Sequence, residues 1–214
     1  MVLKSGNFWL FMILGLNFWL VPIFELDEAD EQFTDGLMAA TLLAAVAIQG
    51  MAAPRFRKWA ILAGIVILAA IAAEEILANL KYVENTVFAI SFAAATALYF
   101  HTMTENLEEV TFDTVLAAAC TYLLIGMFFA AIFGLVIEFD PNAFAAEGSV
   151  TGRYDMLYFS FATLTTLGAV DISPASDLAK MLTVFEAIVG LIYIAILVGA
   201  VVGSYAAKMS GRRH

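Results

Sequence analysis

Residues 158–174 read YFSFATLTTLGAVDISP, and this stretch decides how the chain folds. It starts as an apolar and aromatic run, continues through hydroxyl side chains and a glycine, and ends with an acid, a serine and a proline. Asp155 stands just before the run, where a carboxylate suits the N-cap or the first turn of a helix. A helix over 155–166 is too short to cross a bilayer, because a spanning helix needs about 20 apolar residues. The stretch therefore predicts a short re-entrant helix followed by an extended loop over 166–171.

The rest of the chain has the composition of a membrane protein. Of its 214 residues 63% are hydrophobic, whereas soluble domains contain roughly 45–50% apolar residues. Successive stretches are long enough to cross a bilayer and leave no room for a soluble domain. They are 7–24, 35–53, 58–80, 85–103, 112–138 and 178–206. The sequence thus predicts an all-α membrane protein with six transmembrane helices and no soluble ligand-binding domain.

The positive residues predict the orientation, because lysine and arginine resist translocation across the membrane. An N-terminus on the cytoplasmic side leaves only Lys81, Arg153 and Lys180 outside. The remaining positive residues are then cytoplasmic: Lys4, Arg55, Arg57, Lys58, Lys208, Arg212 and Arg213. Both termini are therefore expected in the cytoplasm. The first stretch lacks a small-residue cleavage site before Glu25, which favours a retained helix over a signal peptide.

The polar residues of the decisive stretch follow a known order. Thr163, Thr166, Gly168 and Asp171 are spaced as T-x-x-T-x-G-x-x-D. This pattern resembles T-x-x-T-x-G-Y-G-D, the pore-loop signature of the potassium channel superfamily. The resemblance covers 112–206, including the long apolar helix on each side of the short one. The resemblance implies a channel of the bacterial type, with six transmembrane helices and one pore loop, located in an inner (plasma) membrane.

The resemblance also implies a domain organisation. Residues 1–103 would form a peripheral domain of four helices, 104–111 a linker, and 112–214 the pore domain with its inner helix over 178–206. Re-entrant backbone is tolerated in a bilayer only where protein buries it or water lies beside it. Four copies around one axis would meet that condition and one copy could not. A homotetramer in the lipid bilayer is therefore expected, and no nucleic acid is an expected partner.

The loop residues carry the expected ion chemistry. In the resembled family, consecutive backbone carbonyls and one threonine hydroxyl replace the water around a dehydrated cation. The resemblance implies such ligands for K⁺ or Na⁺ at Thr166, Leu167 and Gly168, and no other cofactor. The acid at the outer mouth would be Asp171.

Two residues depart from the family pattern, Ala169 and Val170, which stand where the family has tyrosine and glycine. Inward carbonyls require alternating negative and positive φ, and the positive positions favour glycine. Gly168 is expected to keep the first of these positions. A β-branched valine at the second is an outlier there. The sequence therefore predicts a shortened filter with weaker discrimination between K⁺ and Na⁺.

Other side chains are expected to support the loop. The family tyrosine packs against pore-helix aromatics, which align with Tyr158 and Phe159. Glu186 lies about ten residues inside the last helix, where a buried acid needs a partner. We expect it to be protonated and to bond to Ser160 or Thr163, with a place in the ion path as the alternative.

Three glycines of the last helix are candidates for a gate. Gly190 could be a hinge or a packing position. Gly199 and Gly203 form a GxxxG pair that suits either a crossing of inner helices or ordinary packing.

The first four stretches match the family only in number and length. The stretch over 85–103 contains no lysine or arginine, and voltage sensing requires several such charges. We therefore expect no arginine-based voltage sensing. Glu74, Glu75 and the acids over 105–113 could be solvated or paired side chains, or could bind cations or protons, and the sequence leaves these alternatives open.

The residues leave two functions open. The first is a potassium-channel-like channel that conducts monovalent cations passively. The second is a non-conducting relative that serves as a membrane subunit or scaffold. An enzyme is not expected, because two histidines and one cysteine, Cys120, provide no catalytic constellation.

Overall fold

The structure is a computed structural model, and it describes residues 6–23, 31–52, 58, 61, 65, 82–105, 111–146, 153–168 and 171–211. The described part is mainly helical, with one small sheet. Its helices are α1 (Gly6–Ile23), α2 (Glu31–Ala52), α3 (Tyr82–Glu105), α4 (Phe112–Phe139), α5 (Arg153–Leu164) and α6 (Asp177–Gly211). Its strands are β1 (Phe144–Ala146) and β2 (Ile172–Pro174).

Some expectations lie outside the described residues. These are the third apolar stretch apart from positions 58, 61 and 65, the acids Glu74 and Glu75, and most of the linker. Ala169 and Val170, the two departures from the pore-loop signature, lie outside them too. Their roles remain predictions.

The helices around the re-entrant segment agree closely with the expected bounds. Helix α4 was expected over 112–138 and ends at Phe139, and Thr111 begins it with a capping box, in which its hydroxyl accepts from the Thr114 amide. Helix α5 was expected over 155–166 but runs from Arg153 to Leu164, with Asp155 in its first turn. It ends earlier because Thr166 has φ 60°, which a right-handed helix cannot continue.

A two-stranded antiparallel sheet, which the sequence did not predict, closes the segment that contains α5 in this mainly helical chain. Phe144 pairs with Pro174, Ala145 with Ser173 and Ala146 with Ile172. The Ala175 amide also donates to the Ala143 carbonyl at 2.8 Å. The sheet ties the segment before α5 to the segment after the loop, so the two ends of the re-entrant hairpin are held together.

Helix α4 lies between two hydrophobic cores. The first contains side chains from α1, α2, α3 and α4, together with Leu157 of α5. The second joins α4, β1, α5, β2 and α6, and is rich in aromatic rings. Phe133, Phe144 and Phe159 form its centre, with T-shaped pairs whose ring centroids lie 5.1–5.6 Å apart. Helix α5 contributes to both cores and is therefore fixed on two sides.

Helix α6 is long, apolar and mostly uncovered in one chain. Within the described part, Phe112–Phe139 and Asp177–Ala200 are long and apolar enough to cross a membrane. Large side chains of α6 are exposed along its length: Leu178, Met181, Val184, Phe185, Ile188, Leu191, Ile192, Ile194, Ile196, Val198 and Val202. Such a surface needs lipid or other protein against it, which supports a membrane location.

Candidate functional site

The loop after α5 starts with a tight reversal of the backbone. The amide of Thr165 donates to the Phe161 carbonyl, that of Thr166 to the Thr163 carbonyl, and that of Gly168 to the Ala162 carbonyl, each at 3.0 Å. These bonds satisfy carbonyls that the end of a helix leaves unpaired. The loop therefore leaves α5 in a defined direction.

Positive φ angles occur at alternate positions of this loop. Thr166 has φ 60° and Gly168 has φ 78°, and no other described residue outside glycine has a positive φ. Successive peptide planes therefore flip, as a row of carbonyls facing one side requires. Gly168 has the positive φ expected of it, but the expectation that it is the first such position is wrong, because Thr166 precedes it. A left-handed threonine costs roughly 1–2 kcal/mol, and such strain is concentrated at functional sites.

The loop lies on the surface of the single chain. Thr165, Thr166, Leu167 and Gly168 are all exposed, Leu167 to 75%. A cavity of about 160 Å³ opens beside the loop, with Tyr154, Phe161 and Leu167 among its lining residues. An apolar leucine so exposed needs lipid or other protein against it.

The two pore-helix aromatics face different surroundings. Tyr158 is 38% exposed, and its hydroxyl shares a hydrogen bond with Asp171 beyond the loop. Phe159 is buried against Phe133 and Phe144 in the second core. The structure therefore places Tyr158 beside the outer end of the loop. It does not place Phe159 there, because the neighbouring position on a helix points about 100° away.

Glu186 lies behind α5, fully buried, in contact with Ser160. Ser160 Oγ is 2.5 Å from Glu186 Oε1 and 2.7 Å from the Gly126 carbonyl oxygen. A serine hydroxyl has one hydrogen, and a carbonyl can only accept. Both contacts are hydrogen bonds when Ser160 donates to Gly126 and the Glu186 carboxyl carries a proton and donates to Ser160. The partner is thus Ser160, one of the two that the sequence indicated, while Thr163 contributes its backbone carbonyl to the loop.

A second contact fixes the end of α5 from behind. The Tyr122 hydroxyl donates to the Leu164 carbonyl at 2.9 Å. A Cβ at Gly190 would lie 2.8 Å from the same carbonyl oxygen. Gly190 is therefore a position of close approach between α6 and the end of α5. A Cβ added at Gly199 or Gly203 would have no atom of the described residues within 4 Å.

Sequence reasoning missed one supporting residue, Tyr122, and indicated Gly126 only as a position of close helix approach. A Cβ at Gly126 would overlap the Phe161 ring, so glycine is needed for α5 to approach α4. Tyr122 had a usable signal, since a tyrosine inside an apolar helix needs a partner for its hydroxyl. Gly126 has a weaker signal, because a glycine in a long apolar helix indicates close packing without naming the partner.

The protonation of Glu186 makes a testable prediction. Ser160→Ala should lower the free energy of unfolding of the purified protein by about 1–3 kcal/mol per chain, because it leaves a buried carboxyl without its hydrogen-bond partner. Glu186→Gln should remain close to the unchanged protein, because the amide still donates to Ser160. Infrared spectra should show the carbonyl band of a protonated carboxylic acid that Glu186→Gln removes.

The matched control is Thr183→Ala, which removes a hydroxyl from the same helix as Glu186. That hydroxyl donates to the backbone carbonyl of Ala179, four residues earlier, at 2.7 Å. It should have a small effect. An infrared difference between the unchanged protein and Glu186→Gln that contained only carboxylate bands would contradict the assigned proton.

The oxygens near the loop determine what it can bind. In the described part of the chain, no group of three or more histidine, cysteine, aspartate or glutamate side chains is placed to hold a metal ion. The loop offers backbone carbonyls, the hydroxyls of Thr165 and Thr166, and the Asp171 carboxylate at its far end. The carbonyl and hydroxyl oxygens are neutral, and neutral oxygens suit monovalent cations that exchange quickly.

Comparison with known proteins gives one match. Residues 110–206 match a family model described as an ion channel. The matched part includes α4, α5, the loop and most of α6, and therefore the whole candidate site. No curated protein and no solved structure matches the chain. The match supports an ion-channel domain in this part of the chain.

Proposed function

We propose that this chain is one subunit of a homotetrameric, potassium-channel-like channel that conducts monovalent cations passively across a membrane. The observation that carries the proposal is the exposed loop with positive φ at Thr166 and Gly168, inside the part that matches an ion-channel family model. An alternating backbone of this kind has carbonyls on one side. A cation can lose its hydration shell only where such oxygens take the place of the lost water.

Electrostatics support a cation at this position. The C-terminal end of α5 points toward the loop, and the partial negative charge of a helix C-terminus attracts cations. Asp171 stands on the other side of the loop. The ligands would be the Thr166 hydroxyl and the carbonyls of Thr166, Leu167 and Gly168.

The filter is proposed to be shorter than that of the resembled family. Residue 170 is the next position of the alternation after Thr166 and Gly168, and there the chain has valine. Valine with positive φ costs roughly 1–2 kcal/mol in each subunit. The absence of a tyrosine at Ala169 removes the packing that would oppose relaxation. Fewer dehydrated sites in a row mean weaker selection of K⁺ over Na⁺.

The same geometry supports the proposed tetramer. One chain presents its loop on its surface and cannot surround an ion, whereas four loops around an axis can. The exposed apolar side chains of α6 and Leu167 then contact neighbouring subunits or lipid. We further propose six transmembrane helices per subunit, both termini in the cytoplasm, and gating without arginine-based voltage sensing.

Reversal potentials of the purified protein in planar bilayers test the function. With K⁺ on one side and Na⁺ on the other, we expect cation currents with only a weak preference for K⁺. The matched control is Gly168→Val, which should abolish the current because a valine resists φ 78°. Among the residues that the structure describes, no atom lies within 4 Å of that Cβ position, so a clash with them would not explain the loss.

Silence of the unchanged protein in this experiment would favour the alternative function. That function is a non-conducting membrane subunit or scaffold, and the substitutions at Ala169 and Val170 are the feature that favours it. A current carried by anions would contradict both.

A further inference from the structure

Three helices meet at a buried polar contact far from the loop. Asn85 lies in the first turn of α3, Glu138 in the last turn of α4, and Arg153 is the first residue of α5. Asn85 Nδ2 donates to Glu138 Oε1 at 2.6 Å, and Arg153 Nη1 donates to Asn85 Oδ1 at 2.6 Å. We call these three residues the three-helix joint.

The chemistry of the joint requires the amide of Asn85. A guanidinium only donates and a carboxylate only accepts, so the residue between them must accept on one side and donate on the other. An amide does both. Rotating the Asn85 amide by about 180° would place its NH₂ group against the Arg153 guanidinium and its oxygen against the Glu138 carboxylate, where neither could form a hydrogen bond. The two partners therefore fix the orientation of the amide. Asn85 is only 9% exposed, and leaving such a buried polar group unsatisfied is costly.

Neighbouring residues show that the joint is closely packed. A Cβ at Gly134 would lie 3.1 Å from both Asn85 Nδ2 and Asn85 Oδ1, so α4 carries glycine where the amide lies flat against it. The Arg153 guanidinium lies 4.8 Å from the centroid of the Phe88 ring, one turn further along α3. Helix α3 therefore binds Arg153 through both an amide and an aromatic ring.

The position of Arg153 on its own helix makes these contacts important. A positive side chain in the first turn of a helix is opposed by the helix dipole. Contacts with Asn85 and Phe88 of α3 offset this cost. The start of α5 is thus bound to a peripheral helix, while its end is bound by Tyr122 and meets Gly190. The loop follows that end directly.

We propose that Asn85 is a positioning residue through which α3 sets the tilt of α5 and thereby controls conduction through the loop. Helix α5 has 12 residues and is about 18 Å long. A rigid helix of this length transmits a displacement of its first turn to its last. The proposal rests on the proposed function, and it gives the peripheral helices a route to the loop that does not use the linker before α4.

A donor–acceptor exchange tests the proposal in bilayers. Asn85→Asp still accepts from Arg153 but cannot donate to Glu138, and two carboxylates then face each other. We expect about tenfold less cation current, which corresponds to about 1.4 kcal/mol. Adding Glu138→Gln supplies a new donor to the introduced carboxylate, and the double variant should recover most of the current.

The matched control is Asn7→Asp. Asn7 lies in α1, and its amide also donates to an acid of α4, Asp113, at 3.1 Å. Asp113 lies at the opposite end of α4 from Glu138. The Asn7→Asp substitution creates the same facing pair of carboxylates without touching α5. We expect its current to stay within about twofold of the unchanged protein, because the pair is exposed and solvent screens it.

Hydrogen exchange of the α5 amides provides a readout that does not need current. Asn85→Asp should speed hydrogen exchange over residues 153–164, and the double variant with Glu138→Gln should restore protection of these amides. Equal currents in Asn85→Asp and the unchanged protein would overturn the proposal, as would a double variant as impaired as the single one. If the unchanged protein passes no current, the proposed function fails, and hydrogen exchange alone decides whether Asn85 positions α5.

Discussion

Replacing Ala169 by tyrosine together with Val170 by glycine is expected to raise the permeability of K⁺ relative to Na⁺ by roughly tenfold or more, since glycine avoids the ~1–2 kcal/mol per subunit that a positive φ would cost valine. The alternation already runs through Thr166 and Gly168, with φ 60° and 78°. Glycine at position 170 allows it to continue by one more step. Tyrosine at position 169 supplies a side chain large enough to keep the added step in place.

The expected gain depends on both substitutions. Val170→Gly alone frees the backbone but leaves it unsupported, and Ala169→Tyr alone supplies packing to a backbone that valine still distorts. Each single variant should therefore sharpen selectivity less than the pair. Val170→Ala is the control, because alanine removes the branched side chain but keeps the Cβ that disfavours positive φ. Reversal potentials in mixed K⁺ and Na⁺ measure all four variants. An unchanged ratio in the double variant would refute the shortened filter.

Replacing Gly190 by alanine should destabilise the subunit and disable the loop. The new Cβ would lie 2.8 Å from the Leu164 carbonyl oxygen and 2.9 Å from Leu164 Cδ1. The oxygen belongs to the backbone and is held by the Tyr122 hydroxyl, so it cannot move aside cheaply. Overpacking of this kind costs about 1–3 kcal/mol. Thermal unfolding of the purified protein should show the loss, and bilayer currents should fall with it.

Gly199→Ala is the matched control on the same helix. Nothing in the described part of the chain lies within 4 Å of its Cβ position, and alanine is favoured over glycine in a helix by about 1 kcal/mol. Stability should therefore stay constant or rise. The comparison also separates the two roles considered for Gly190. A hinge predicts altered gating with normal stability in Gly190→Ala, whereas close packing predicts lost stability, and the Leu164 contact favours the second.

Parts of the site were predictable because they depend on local sequence. Asp155 in the first turn of a short apolar helix, and the long helices on either side, follow from capping preference and from the length of apolar runs. The contact between Glu186 and Ser160 was predictable for a different reason. A buried acid at mid-helix requires a partner, and few polar side chains were within reach.

Other parts could not be predicted because they depend on distant residues. The pairing of β1 with β2 joins two three-residue segments that are too short to show any periodicity. The positive φ of Thr166 contradicts the local preference of threonine, and only the surrounding fold imposes it. The joint of Asn85 with Glu138 and Arg153 connects residues 53 and 68 positions apart in the chain, and none of the three belongs to a motif.

The sequence by itself determined the class of protein, the position of the short helix α5 and the order of the polar residues in the loop after it. Apolar length, capping and the order of threonine, glycine and aspartate are local properties, and a local pattern is enough to read them. Only the tertiary structure decided where the alternation begins, which glycine meets the end of α5 and how α3 reaches Arg153. These depend on contacts at distances of a few ångströms between distant parts of the chain, which packing alone selects.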